Sequence, residues 1–504
     1  MKHGETAGSA ILDDIDRRIA AAPPFPGLRR FPEGRRFKQW TGDDSKALMK
    51  VYLSAIAGHV PDEMVQAIAA FLEFCYFVRR PVINQETLHK IEDALTRFHT
   101  HRKIFETTGV RTSLSLPRQH SLKHYIWAIQ QFGAPNGLCT SITESRHITA
   151  VKEPWRRSNR YEALGQMLTI NQRLHKLGAA RDDFEERGML KGNILSATME
   201  ALRQVHRKLQ VDQEDLDPDN NNEDSAEVPV STAVGHSGAM EDSALGEQTE
   251  QVLLPPEDEG IPVDGKQVVG FVDMALTPQR GYPRTLLGLG QHMKYPSLVD
   301  HVRHFLYYQA HPNSDRSSTD LELWECPSIP DSQQVLVFHS ACTTFYSPSD
   351  ISSLGGMKSE HIRSCPRWRG KEERRDCAFA QKDGSVPGIK GLFIVRVRFF
   401  FSFRIDGRRG TVYPCAFVEW FKLVGDERDP VTGMWVVEPD LDSDGIREVS
   451  VVHLDSLIRS AHLLAVFGDE FLPTDFHFSY TLDSFRAFYV NQFADHHANE
   501  LLMV

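Results

Sequence analysis

A chain of 504 residues exceeds what one ordinary hydrophobic core organises, so a single small module is excluded and two or more domains are expected. With 41% hydrophobic and 25% charged residues the composition is that of a globular protein, and the best apolar run, Ala67 to Val78, is too short to span a membrane and is broken by Glu73. The net charge of −11 is unevenly placed: residues 1–209 carry 32 Lys and Arg against 22 Asp and Glu, residues 210–264 carry sixteen acids and no base, and residues 265–504 carry 25 bases against 30 acids.

The start, Met1-Lys-His-Gly-Glu, lacks the charged-then-apolar layout of a secretory signal, and seven scattered cysteines fit a reducing compartment. An intracellular protein, nuclear or cytoplasmic, with no membrane partner, is therefore expected. A basic N-terminal half suits a polyanion such as DNA.

In chain order, Ile11 to Ala22 reads as a short helix ended by Pro23-Pro24-Phe25-Pro26-Gly27, because proline lacks the N–H that a helix needs. Leu28 to Trp40 interleaves arginines with Phe31, Phe37 and Trp40. That pattern serves either nucleic-acid contact by charge and stacking or an irregular strap anchored by its aromatics in a core. Thr41-Gly-Asp-Asp44 offers an N-cap for a helix with Leu48, Val51, Tyr52 and Ile56 on one face. A second helix begins at Pro61-Asp62-Glu63, and a third runs from Gln85 to about Phe105. The aspartates Asp13, Asp14 and Asp16 fall on the first short helix and are not promoted to a site. His99 and His101, two apart on a helix, read as surface residues.

An amphipathic helix is predicted over residues 117–129. It sets His120 and His124 at the i, i+4 spacing of two metal ligands, but without a following glutamate or a third ligand. The turn Gly133-Ala-Pro135-Asn136-Gly137 then precedes a helix expected from Thr140–Ser141, with Glu144 in its first turn and Arg146, Lys152, Arg156, Arg157 and Arg160 after it. Such a group would hold an acid beside a phosphate chain, and it also describes an ordinary solvated helix. Tyr161 to Leu177 and Asn193 to Leu209 read as two further helices.

Residues 210–264 have too little apolar surface to offset the entropy of ordering and read as an acidic disordered linker. Beyond it Leu286 to Tyr308 looks helical, and the period then changes to two. Val335–His339, Cys342–Tyr346, Arg375–Ala380, Phe393–Ile405, Val412–Val424, Met434–Glu438 and Val449–His453 read as strands. Phe393–Ile405 and Val412–Val424 flank a glycine-bearing connection and form a predicted hairpin. Helices at Leu454–Leu464 and Tyr480–Leu501 are expected to close off a small barrel or twisted sheet. Cys377 and Cys415 are expected as buried thiols, and His496-His497 as an exposed pair. The fold class is α+β: a basic helical part over 1–209, the linker over 210–264 and a β-rich part over 265–504.

Several runs are long enough to be specific: Ser45-Lys-Ala-Leu-Met-Lys-Val-Tyr52, Phe71-Leu-Glu-Phe-Cys-Tyr76, Ser115-Leu-Pro-Arg-Gln-His120, Phe132-Gly-Ala-Pro-Asn-Gly137, Thr143-Glu-Ser-Arg-His147, Lys152-Glu-Pro-Trp-Arg-Arg157 and Tyr413-Pro-Cys-Ala-Phe-Val-Glu-Trp420. Together they resemble the C-terminal half of the Plavaka-type transposases of fungi, CACTA-like cut-and-paste elements. The resemblance implies an incomplete RNase H-like core with a helical insertion. In the intact family two aspartates and a glutamate hold two Mg2+ ions roughly 3.5–4 Å apart for strand cleavage and joining. By that resemblance Glu144 matches the third acid, and Arg146, Lys152, Arg156, Arg157 and Arg160 would face DNA phosphates. No match to the two aspartates is found in residues 1–40, so the resemblance implies a transposase-derived chain without autonomous catalysis and without its own Mg2+. The alternative, from another class, is a protein or chromatin interaction module built on the β-rich part.

Overall fold

In a computed structural model of the chain, the structure describes residues 5–37, 40–138, 147–187, 261–262, 270–312, 316, 320–330, 332–350, 356–368, 372–405 and 410–503. Helices and antiparallel sheets both contribute, an α+β protein. The expected helix starting at Thr140–Ser141, the expected helix over 193–209 and residues 210–260 of the expected linker lie outside the described residues.

The chain divides into two compact units, Met1–Gly137 together with Leu253–Val504, and Leu138–Val252. The first of these units joins residues from both the expected helical part and the expected β-rich part, which share a core. Helices α1 (Glu5–Ala20), α2 (Gly42–Ile56) and α3 (Asp62–Phe77) bury Ile15, Ile19, Leu48, Val51, Val65 and Leu72 against Met434, Leu464, Tyr489 and Phe493 of the C-terminal part. Neither of these apolar faces would be dry alone.

Each helix has a local cause. The side chain of Thr41 accepts from the Asp44 N–H, and the Asp44 carboxylate accepts from the Thr41 N–H at 2.9 Å, a reciprocal cap for α2. Asp62 and Glu63 sit in the first turn of α3 where the dipole favours them. Asn84 caps α4 (Gln85–His101) through Thr87. The expected 117–129 helix is three pieces, Pro117–Ser121, Leu122–His124 and Tyr125–Phe132. The single helix expected over 286–308 is two, Leu286–His292 and Leu298–Ala310, broken where Lys294 takes φ +62° ahead of Pro296.

Among the described residues, fourteen strands make two sheets. The smaller contains β1 (Ile261–Pro262), β2 (Phe271–Met274), β4 (Ser340–Tyr346), β5 (Met357–Cys365) and β6 (Arg374–Arg375), in the order β1-β5-β4-β2 with β6 on β5. β1 shows that Ile261–Pro262, at the end of the expected linker, is paired chain. The larger holds β3 (Val335–Phe338), β7 (Cys377–Gln381), β8 (Leu392–Arg404), β9 (Val412–Leu423), β10 (Trp435–Pro439), β11 (Val449–His453), β12 (Leu457–Ala461), β13 (Leu463–Ala465) and β14 (Phe488–Val490).

β8 and β9 form the predicted hairpin, paired from Ile394–Phe421 to Arg404–Val412 with a shift of register between Val397 and Phe399. β12 pairs with β7, and β13, one residue further on, pairs with β14. Pairing therefore runs β12-β7-β8-β9-β10-β14-β13, and because β12 and β13 are separated by one residue the sheet curls into a nearly closed, barrel-like ring. Cys377, Phe379, Ile394, Phe421, Val437, Leu463 and Phe488, from strands all round the ring, share one apolar cluster.

The ring overturns two expected helices. Leu454–Leu464 is a short turn followed by β12 and β13, and Tyr480–Leu501 contains β14 between the short helices Thr481–Ser484 and His496–Leu502. Their leucines sit at spacings that also suit a helix, but the ladders offered by β7 and β14 decide the conformation.

Candidate nucleic-acid interface

Of the residues expected to carry function, Glu144 and Arg146 lie outside the described residues. Lys152, Arg156, Arg157 and Arg160 belong to the 138–252 unit, and all four are exposed. Lys152 ends a π-helical turn, Ile148–Lys152, which leads directly into the short helix Glu153–Arg157. Pro154 stands in the first turn of that helix, where its missing N–H costs nothing, and is buried; Glu153 at its start and Arg156 and Arg157 at its end complement the helix dipole.

The chain then turns through Ser158–Glu162. Arg160 takes φ +63° and Glu162 φ +43°, and the turn is held by the Tyr161 N–H donating to the Asn159 side chain at 3.0 Å and by Gln166 donating to Asn159 at 2.6 Å and to the Tyr161 carbonyl at 2.8 Å. The long helix Ala163–Glu186 follows, and its Asn171 amide donates to the Ala150 carbonyl at 2.7 Å, fixing the helix against the π-helical turn.

This scaffold presents charge rather than burying it. Residues 147–181 hold seven Lys and Arg (Lys152, Arg156, Arg157, Arg160, Arg173, Lys176, Arg181) and two acids, Glu153 and Glu162, a net +5. All seven cations are exposed, and none makes an ion pair with another described residue. Arg187, by contrast, bonds Asp183 at 2.9 Å. Exposed guanidinium and ammonium groups free of carboxylates are suited to phosphate oxygens, with Arg offering a planar two-pronged donor. Trp155 and Tyr161 are exposed among them, flat surfaces on which a base can stack.

The other basic and aromatic stretch resolves differently. Phe31 is buried, Phe37 packs on the same core, Arg29 lies over both rings and pairs with Asp44, and Arg35 bonds Asp16 at 2.8 Å. Leu28–Trp40 is thus the anchored strap of the two alternatives, with its cations largely spent inside the fold.

Charged groups that the sequence did not single out are buried in the 1–137/253–504 unit. The Asp14 carboxylate receives Arg18 at 2.8 Å, His59 at 2.7 Å and the Leu472 N–H at 2.7 Å. Burial works to raise its pKa, but these donors prevail and it ends lowered. Arg459 bonds Asp495 at 2.5 Å and Glu360 at 3.2 Å, with its Nη1 also 2.9 Å from His497. Burial opposes the ionised form of Asp495, and Arg459 with Lys358 reverses this and holds the carboxyl well below the usual range. His496 and His497, expected as exposed, are largely buried, because Asp350 accepts from both backbone N–H groups and His497 stacks on Phe345. The available signal was a charge at an inward position, Arg18 between Ile15 and Ile19 or Arg459 within Leu457–Ala461. Cys377 and Cys415 are buried as expected, and burial pushes the Cys377 thiol up to about 12.

For Mg2+, among the described residues no group of three or more His, Cys, Asp or Glu side chains is placed to hold a metal ion, and His120 and His124, with rings 5.3 Å apart, have no third partner there. The described residues therefore do not assemble the carboxylate set that two Mg2+ ions would need. No helix of the described residues is long and apolar enough to cross a membrane. No protein-family model, characterised protein or solved structure matches the chain.

Proposed function

We propose that this chain is a transposase-derived protein, corresponding to the C-terminal part of a cut-and-paste DNA transposase of the Plavaka type, which retains DNA binding and has no strand-transfer activity of its own. The observation that carries DNA binding is the exposed array Lys152, Arg156, Arg157 and Arg160, continued by Arg173, Lys176 and Arg181, without carboxylate partners among the described residues. The transposase origin rests on the motif runs Ser115–His120, Phe132–Gly137 and Lys152–Arg157. In this reading Glu144 is the third acid of a site whose two aspartates have no match in residues 1–40, and Arg146 belongs with the phosphate-facing cations.

Binding to phosphates releases counterions, so the test is salt dependence. The full chain should bind duplex DNA without marked sequence preference, with log K falling linearly in log salt. Replacing Lys152, Arg156, Arg157 and Arg160 together by Gln should flatten that slope by about 3.6, near 0.9 for each phosphate that is no longer neutralised. All four are exposed, so circular dichroism should be unchanged. An absence of binding at low salt, or an unaltered slope in the variant, sinks the proposal.

A further inference from the structure

Residues 99–132, in the 1–137/253–504 unit, hold five Lys and Arg (Arg102, Lys103, Arg111, Arg118, Lys123) against one acid, Glu106, a net +4 with the histidines neutral. None of the five cations makes an ion pair with a described residue. Arg97, just before them on α4, shows the contrast, bonding Glu73 at 2.6 Å and Asp93 at 2.7 Å. The acids of α4, Glu86, Glu92 and Asp93, lie nine or more residues before Arg102, about 13 Å or more along the helix axis. The Arg102 guanidinium lies over the Phe98 ring and donates to the neutral Gln119 side chain, and its Nε is buried without an acceptor among the described residues. Burial, with Arg102 and Lys123 close by, lowers the His99 pKa, so these cations share one corner of the fold. Uncompensated positive charge of this kind favours a polyanion.

Flat rings stand beside the charge. The pieces Pro117–Ser121, Leu122–His124 and Tyr125–Phe132 follow one another without a break, which sets Trp127 about one turn beyond Lys123 and His124. Trp127 is 60% and Phe132 67% exposed, and their rings meet edge to face at 6.1 Å. His120 and His124, both exposed, meet in the same way at 5.3 Å. Ile129 anchors the element by joining the buried cluster of Leu95 and Phe98, so the ring pairs are its outward side. Single exposed apolar side chains are ordinary, but ring pairs beside unpaired cations are the parts of a stacking platform. Duplex DNA keeps its base faces inside the stack and an acidic peptide has none. An unpaired strand offers both phosphates and open bases.

We infer that this surface binds single-stranded DNA, with phosphates on Arg102, Arg118 and Lys123 and bases stacked on Trp127 and Phe132. It belongs to the other unit from the proposed duplex-binding array and uses none of that array's residues.

Fluorescence anisotropy with a labelled oligothymidylate and a duplex of equal length tests it, on the full chain carrying Gln in place of Lys152, Arg156, Arg157 and Arg160. That background separates the two sites: the oligothymidylate should still bind, at least about tenfold tighter than the duplex. Trp127→Ala should weaken it at least about fivefold, the loss of one stacked base, with the salt slope unchanged. Lys123→Gln should instead flatten the slope by about 0.7, the value for one phosphate of a single strand. Loss of oligothymidylate binding in the four-Gln background, a duplex bound as tightly, displacement by polyglutamate at equal charge, or full affinity in Trp127→Ala overturns the inference. The comparison of strand with duplex stands even if a further variant misfolds.

Discussion

Arg18 and Arg459 are among the largest fully buried side chains of the protein, and each is surrounded by acceptors from distant parts of the chain. Arg18 donates to the carbonyls of Ala57, Gly468 and Glu470 as well as to Asp14, so one guanidinium joins α1, the end of α2 and the C-terminal region. Such a charge stabilises only while every partner is in place. His462 is a neutral counterpart. Its Nε2 lies 3.0 Å from the Pro23 carbonyl and its Nδ1 2.9 Å from the Asn491 amide, so the ring N–H donates to the former and the bare nitrogen accepts from the latter. Burial lowers its pKa to about 4, and burial with Arg459 nearby lowers His497 to about 4 as well. A histidine with a depressed folded pKa favours the fold while neutral, and the unfolded chain takes up the proton first as pH falls. Stability should therefore drop from about pH 6.5 to about pH 4 and level off in this contribution below that. Glu360, raised by burial, acts in the opposite sense, since the folded form takes up its proton first. Urea titrations across this window should show a shallower acid loss in His462→Gln than in the unaltered chain; parallel curves would contradict the assignment.

At the scale of elements, β8 is the strand on which the β-rich part is assembled. It pairs with β7 on one side and β9 on the other, and β3 adds to its far end beside Phe400–Phe403. Phe399, Phe401 and Phe403 face the cluster shared with the helices Leu286–His292 and Leu298–Ala310, while Val395, Val397 and Phe400 face the cluster shared with Ala341 and Ile362 of the smaller sheet. A strand buried on both faces reads as a continuous apolar run, which is why Phe393–Ile405 was legible as a strand although its alternation is weak. Phe400 is fully buried, and Phe400→Ala should cost about 3–5 kcal/mol, read as a lower urea midpoint with little change in slope. A loss under about 1 kcal/mol would mean that the cluster collapses into the space. β12 and β13 were illegible for the opposite reason. Leu454, Leu457, Ile458, Ala461 and Leu464 fit a helical spacing, and nothing local in Leu454–Leu464 records that β7 and β14 lie open on either side.

At the scale of the whole molecule, the helices within residues 5–98 and the C-terminal segment share one core. Tyr76 donates its hydroxyl to the Phe493 carbonyl at 2.5 Å, Asn491 donates to the Lys50 carbonyl at 2.9 Å, and Gly58, at φ +84°, brings the end of α2 so close to the Gly468 carbonyl that a Cβ there would stand 2.5 Å from it. Residues 1–137 expressed alone should therefore lack a cooperative thermal transition, and co-expression with residues 253–504 should restore one. An independently folded 1–137 fragment, seen as a sharp melt and protease resistance, would show that its core closes without Met434, Leu464, Tyr489 and Phe493.

Local chemistry alone determined the helix starts at Thr41, Pro61 and Gln85, the β8–β9 hairpin, and the buried state of Cys377 and Cys415, because caps, turns and long apolar runs act over a few neighbouring residues. It also displayed the basic run from Lys152 to Arg181, since charge density is a property of composition. Only the tertiary structure decided that residues 1–137 pack with the β-rich part, and that Arg29 and Arg35 are spent on Asp44 and Asp16 while Lys152, Arg156, Arg157 and Arg160 are exposed. Each of these depends on which side chains the fold brings within about 3 Å of one another, and no spacing along a sequence encodes that distance.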